Sequence, residues 1–159
     1  MKKETQRCNI YGEIRDGDTI WLDDKDLILM INSTGGNSHA AMGMFDMLKE
    51  HREKHTITTI AVGQVESCAL VPFICGNQRK SYAHTRFGIH DFSIEGRVSR
   101  IEANSFLRWA QYLQDPIIDR LVAISNKNRG WWETMFSSTP MVYFTAKEMK
   151  RLGIVTHIL

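Results

Sequence analysis

Short apolar runs that stop at glycine alternate along this chain with stretches whose apolar residues recur every three to four positions. Leu27-Ile-Leu-Met-Ile31 ends in Asn32-Ser-Thr-Gly-Gly36, which predicts a buried strand closed by a glycine turn. Ala40, Ala41, Met44, Met47 and Leu48 then follow helical spacing as far as the charged stretch from Lys49 to Lys54. Thr56 to Val62 is β-branched and short, a second strand broken by Gly63. Ser67 to Ile74 reads as a buried helix closing with Gly76. Ser81 to His84, Arg86 to Ile89 and Phe92 to Gly96 read as short extended pieces. From Val98 to Ser125 the period is helical, interrupted at Asp115-Pro116, where a kink or a helix restarted on an Asp115 cap is expected. Trp131 to Phe136 is a short amphipathic helix. Thr145 to Gly153 is another, with Thr145 as cap, Glu148 three residues on and Gly153 as stop. Ile154 to Leu159 reads as a terminal strand. Strands and helices in this order predict an α/β fold of parallel βαβ units in one domain spanning 1–159.

Composition narrows the class of partner. The chain has 159 residues, 43% of them hydrophobic and 24% charged, enough to build a core without a disulfide or metal staple. A net charge of +2 with no basic stripe argues against nucleic acid as partner. Three cysteines, Cys8, Cys68 and Cys75, are an odd number far below disulfide-scaffold density, so reduced thiols and a cytoplasmic location are expected. The charged start from Met1 to Arg7 lacks the apolar stretch of a secretory signal, and no run nears the roughly 20 residues that span a bilayer.

Chemistry concentrates in two turns, Asn32-Ser-Thr-Gly-Gly36 and Gly63-Gln-Val-Glu-Ser67-Cys68-Ala69, each where a strand gives way to a helix. In a parallel sheet both lie at the same edge, beyond the carboxyl ends of the strands. N–H groups of Gly36 and Cys68 could there be aimed at one developing oxyanion. The plain alternative is a tight turn at Gly35-Gly36 and a capping role for Ser67. His90 shifts the balance: it follows Ser67 by a helix and a return strand, which lets an imidazole come back as general base to the hydroxyl. The other five histidines, His39, His51, His55, His84 and His157, read as surface or satisfied core residues. His51-Arg-Glu-Lys-His55 has Arg52 where a zinc H-E-x-x-H motif needs glutamate, so a solvated helix end is expected there. Trp131-Trp132 is expected in core or subunit-interface packing.

These motifs together resemble the ClpP family of serine peptidases. Ile31-Asn-Ser-Thr-Gly-Gly36 is similar to its I-N-S-P-G-G turn, and Gly63-Gln-Val-Glu-Ser67-Cys68 to its G-Q-A-A-S-M nucleophile turn. Gly88-Ile-His90-Asp resembles its M-I-H-Q histidine strand, and Tyr143 to Val155 its closing F-M-S-A-x-E-A-x-x-Y-G-L-I. The four occur in the family's order over about Leu27 to Leu159. The resemblance implies a ClpP/crotonase-like fold of repeated βαβ units with residues 98–125 as a protruding handle helix. It implies Ser67 as nucleophile, His90 as general base, and Gly36 and Cys68 as oxyanion-hole donors. It also implies an unfolded polypeptide substrate, a homo-oligomer of two stacked rings, a AAA+ ATPase partner that unfolds the substrate, and no cofactor for the peptidase itself.

The sequence departs from that pattern in three places. The family's triad aspartate falls within Phe136-Ser-Ser-Thr-Pro-Met-Val142, placing Ser137 at the third triad position, with Ser138 or Thr139 after a small shift. A hydroxyl there can hold the imidazole tautomer without stabilising an imidazolium; Glu66, Asp115 and Asp119 are the alternative acids. Residues 1–26 form a shortened amino-terminal segment: Ile10 to Ile14 is followed by Arg15 to Asp26, too rich in glycine and aspartate for the family's helix. Pro116 lies within the handle. Besides a peptidase, the readings are a catalytically weak or inactive ClpP-like subunit, and a crotonase-type enzyme stabilising an acyl-thioester enolate. The pairing of Ser67 with His90 argues against the last.

Overall fold

The structure is a computed structural model that describes residues 4–93, 97–138 and 140–159. Its element order is β1 (Thr5–Ile14), β2 (Asp26–Gly36), α1 (Ser38–His51), β3 (Ile57–Glu66), α2 (Leu70–Ile74), β4 (Gln78–Ser81), β5 (Arg86–Ile89), α3 (Arg100–Ile124), α4 (Arg129–Phe136), β6 (Val142–Thr145), α5 (Ala146–Leu152) and β7 (His157–Ile158). The sheet runs β1-β2-β3-β4-β7 with every pair parallel, as the alternation of strands and helices predicts. β5 adds parallel to the far end of β3, and β6 pairs antiparallel with β5. That four-residue strand was not expected from sequence, because Val142-Tyr-Phe-Thr145 is too short to show a period.

Each strand buries alternate residues. Leu27, Leu29, Ile31 and Ser33 of β2 and Ile57, Thr59 and Ala61 of β3 are fully covered. α1 places Ala41, Met44, Phe45 and Leu48 into the same core, and all five residues of α2 are buried. No helix joins β1 to β2 among the described residues; the connection is tied down instead by Gln6, whose side chain donates to the Trp21 carbonyl (2.7 Å) and accepts from the Asp23 N–H (2.9 Å).

Several boundaries differ from the sequence expectation, each for a local reason. β3 does not break at Gly63: it bends there at φ 67° and continues to Glu66, so its first half pairs with β4 and its last residues with β5. β4 ends at Ser81 rather than starting there, because Tyr82 to Thr85 close a turn through a Thr85 N–H to Tyr82 carbonyl bond of 3.1 Å. Phe92 and Ser93 belong to no strand, and the rest of that expected piece lies outside the described residues. The terminal strand shrinks to His157–Ile158, since Gly153, Ile154 and Val155 are used in capping α5. Helix α3 passes through Pro116 without a break and needs no cap at Asp115. A mid-helix proline costs about 3 kcal/mol, and burial of Ile117, Ile118 and Leu121 on the turns that follow offsets it.

The carboxyl-terminal third is pinned by polar contacts. Arg79 of β4 is 6% exposed and donates to the carbonyls of Ile154 (2.7 Å), Gly153 (3.3 Å) and Gly76 (2.8 Å). Trp132 is wholly buried, and its Nε1 donates to Ser125 Oγ at 2.9 Å; Trp131 sits edge-on to it. Thr145 and Glu148 form the expected reciprocal cap of α5, which ends at Gly153 with φ 89°. Thr145→Ala is expected to lower unfolding stability by about 1 kcal/mol, and Trp132→Ala by about 3–5 kcal/mol, both measured by urea denaturation.

Candidate active site

The end of β3 carries a local strain. Ser67 opens a 3-10 turn (Ser67–Ala69) at φ 52°, the one positive value at a non-glycine among the described residues. Left-handed backbone costs such a residue about 1–3 kcal/mol and holds its side chain clear of the strand. The neighbouring turn of β2 locks it in place. A Cβ on Gly35 (φ 88°) would lie 2.7 Å from the Glu66 carbonyl oxygen and from Ser67 Cβ, and 2.8 Å from Cys68 N. A Cβ on Gly36 (φ 139°) would overlap the carbonyl oxygen of Ile14. The two glycine-bearing turns therefore touch through bare backbone, which only glycine permits.

His90 arrives by strand register. β5 pairs with β3 so that Gln64, Val65 and Glu66 face Arg86, Phe87 and Gly88. Two residues beyond Gly88, the His90 imidazole meets Ser67, with Nε2 2.7 Å from Oγ. A Cβ at 88 would meet the Met141 sulfur and the Glu66 side chain, which would have to shift to make room. One residue before the serine, the buried Glu66 carboxylate accepts from Arg86 Nε at 2.6 Å, and the guanidinium stacks over the Tyr143 ring. This ion pair braces the register that joins serine to histidine. It was not anticipated from sequence, where Glu66 stood only as an alternative acid.

Gly36 and Cys68 line the cleft beside Ser67. Burial pushes the Cys68 thiol up, while the Ser67 hydroxyl and the N–H groups of Gly36 and Cys68 around the sulfur act the other way. Ser67, Cys68 and His90 open into a cleft of about 90 Å³ with Leu70, Val71, Ile117 and Phe136 on its apolar side. Ile117 and Phe136 come from α3 and α4, and nothing local in their sequence marks them as cleft residues. Phe92, just past His90, packs on Trp109 of α3, which also touches His39 and Phe106.

The third triad position is a different matter. Ser137 is exposed, and its hydroxyl donates to the Glu133 carbonyl at 2.5 Å rather than to His90. Ser138 likewise donates to Thr134 (2.7 Å). Both follow the last turn of α4, where free carbonyls capture nearby hydroxyls. Thr139 lies outside the described residues. The alternative acids are engaged elsewhere: Glu66 with Arg86, and Asp115 and Asp119 with Arg129. Asp91, next to the imidazole, accepts from the Phe92 N–H. Among the described residues no side chain hydrogen-bonds His90 Nδ1.

The other histidine cluster is less solvated than expected. His55 has a side chain only 12% exposed, bonds Asp24 at 2.7 Å and stacks on His51. His51 contacts the Lys25 carbonyl at 2.9 Å, and burial lowers its pKa. No group of ligands suited to a metal ion occurs among the described residues. No helix among them is long and apolar enough to cross a membrane.

Comparison with known proteins adds the family. Two strains of Dehalococcoides mccartyi have an ATP-dependent Clp protease proteolytic subunit that is 26% identical to this chain over 136 residues, covering 86% of the chain and 67% of the relative. The protein of the same name from Bacteroides thetaiotaomicron is 26% identical over 140 residues, 85% of this chain and 60% of its own. The chain thus spans about two thirds of the length of these relatives. The family model for Clp protease matches residues 20–159, which include both glycine turns, Ser67 and His90. A parallel-dominated α/β sheet, the serine and histidine joined at its edge and this match lead to one conclusion: the chain belongs to the Clp protease family of peptidases.

Proposed function

We infer that this protein is a ClpP-like serine endopeptidase that hydrolyses peptide bonds of unfolded polypeptides through an acyl-enzyme. The observation that supports this reading most is the 2.7 Å contact of His90 Nε2 with Ser67 Oγ at a strained strand-to-helix turn. In the acylation step His90 accepts the hydroxyl proton as Ser67 Oγ attacks the scissile carbonyl. The oxyanion that forms is received by the N–H groups of Gly36 and Cys68, fixed before substrate arrives and so not reorganised during reaction. His90 then returns the proton to the leaving amine, and a water activated by the same imidazole releases the acyl group. The apolar wall of Leu70, Val71, Ile117 and Phe136 suits an apolar side chain next to the scissile bond. No cofactor enters this scheme.

Assembly belongs to the same proposal. Ile101, Leu107 and Tyr112 on α3 are 76%, 62% and 77% exposed, a large apolar contribution for one helix to leave in water. A handle of this kind would bury them between stacked rings of identical subunits. The relatives' names describe an ATP-dependent protease, in keeping with a AAA+ unfoldase as partner and a cytoplasmic location.

A second reading, a catalytically weak or silent subunit, rests on His90 Nδ1, which no side chain among the described residues bonds. Loss of the acid from a serine triad lowers kcat about 10⁴-fold while leaving some 10³–10⁴ over water. The peptidase reading therefore expects slow but real turnover of fluorogenic peptides, and slow labelling of Ser67 by a fluorophosphonate. Both signals should vanish in Ser67→Ala and His90→Ala; wild type that never labels would establish the silent subunit instead. Gly35→Ala, which drives the two turns apart, is expected to abolish labelling and to cost about 1–3 kcal/mol in unfolding stability. Mass photometry should find multiples of the chain, and Ile101→Asp with Tyr112→Asp should shift them to smaller species; a wild type that stays monomeric would remove the ring.

A further inference from the structure

Three guanidinium groups converge where α2 ends, away from the serine. Arg120 Nε donates to the Ile74 carbonyl (2.9 Å) and Nη2 to Gly76 (3.3 Å); Arg52 Nη1 donates to Cys75 (3.3 Å); Arg79 Nη1 donates to Gly76 (2.8 Å). Carbonyls at a helix end attract cations, yet neutral acceptors do not cancel three full charges. Among the described residues none of these arginines pairs with a carboxylate, and Asp119, at the rim, is held by Arg129. The crowding is felt by the cations themselves. Burial, then the charge of Arg52, lowers the pKa of Arg79; burial, then Arg52 and Arg79, brings Arg120 down to about 10.

Arg52 and Arg120 face a cavity of about 280 Å³ between α1 and α3, with Lys49 on its wall. Arg79 spends its donors on carbonyls, whereas Nη1 of Arg120 and both Nε and Nη2 of Arg52 have no hydrogen-bond partner among the described residues. The Cys75 thiol on the same wall is pushed up to about 12 by burial, so no thiolate neutralises the site. Planar guanidinium forks match the oxygens of a tetrahedral oxyanion, and an ammonium adds a further donor. A single carboxylate would engage one fork and leave the other charge uncompensated. A phosphate dianion can engage both.

We propose that this cavity binds a phosphate group, free or carried as a monoester, through Arg52, Arg120 and Lys49. Its occupant would tie the end of α2 to α3. The first turn of α2 and Ile117 of α3 wall the serine cleft, so the site is placed to stiffen the substrate-binding wall from behind.

The test titrates the full chain with inorganic phosphate, with phenyl phosphate and with chloride at matched ionic strength, read by isothermal calorimetry and thermal melting. Phosphate is expected to bind measurably and to raise Tm beyond the chloride response. Binding should weaken at least about tenfold in Arg52→Gln, in Arg120→Gln and in Lys49→Gln, and stay unchanged in Lys147→Gln. Phenyl phosphate binding alongside phosphate identifies a monoester site, and phosphate alone a site for the free ion. Should Arg120→Gln fail to fold, Arg52→Gln combined with Lys49→Gln decides, because it keeps both Arg120 bonds to α2. A phosphate response no larger than that of chloride, or one that survives in the double variant, overturns the proposal.

Discussion

Backbone contact between two turns, with no side chain between them, is the constraint on which the rest of this molecule depends. Gly35 lies so close to Glu66, Ser67 and Cys68 that no Cβ fits, and Gly36 lies equally close to Ile14. β1, β2 and β3 are thereby brought to a common edge, and the strained conformation of Ser67 is held from both sides. A turn that stores this much strain survives only where the surrounding structure over-determines it. Here that support comes from a buried sheet core beneath and, beside it, an ion pair of the buried Glu66 with the exposed Arg86.

The bend of β3 at Gly63 completes the arrangement. By leaving the line of the main sheet, the strand frees its last residues to pair with β5, and that pairing carries His90 to the serine. Glu66 and Arg86 then fix the register with a charge-assisted bond next to Ser67. An error of one residue in that register would turn His90 to the opposite face. The imidazole is thus positioned by strand geometry at Nε2, whereas among the described residues no side chain bonds its Nδ1, and the hydroxyls of Ser137 and Ser138 serve helix carbonyls.

The parts of this structure readable from the sequence were those set by local chemistry. Apolar runs, the cap at Thr145 with Glu148, and the glycine turns are each determined by neighbours in the chain, and α1, α4 and α5 appear close to where their patterns place them. The meeting of Ser67 with His90 was legible because motif order and a βαβ reading together put both at one sheet edge. What escaped was decided by tertiary contact. Pro116 stays helical because burial outweighs a lost donor, and β6 exists only because β5 offers an edge. Ser137 turns to its own helix because the carbonyl of Glu133 is nearer than any imidazole. The cleft contributions of Ile117 and Phe136 follow from how α3 and α4 lie over the sheet, which periodicity does not encode.

Arg79 links the middle of the chain to residues made about seventy-five positions later, as its bonds to Gly153 and Ile154 span separations of 74 and 75. On a translating ribosome, β4 would emerge well before the carbonyls that its guanidinium needs. Until then the guanidinium has only the nearby carbonyls of Gly76 and Asn77 to bind, so its tie to the carboxyl-terminal residues waits for them. The β4–β7 edge of the sheet would therefore be among the last parts to set.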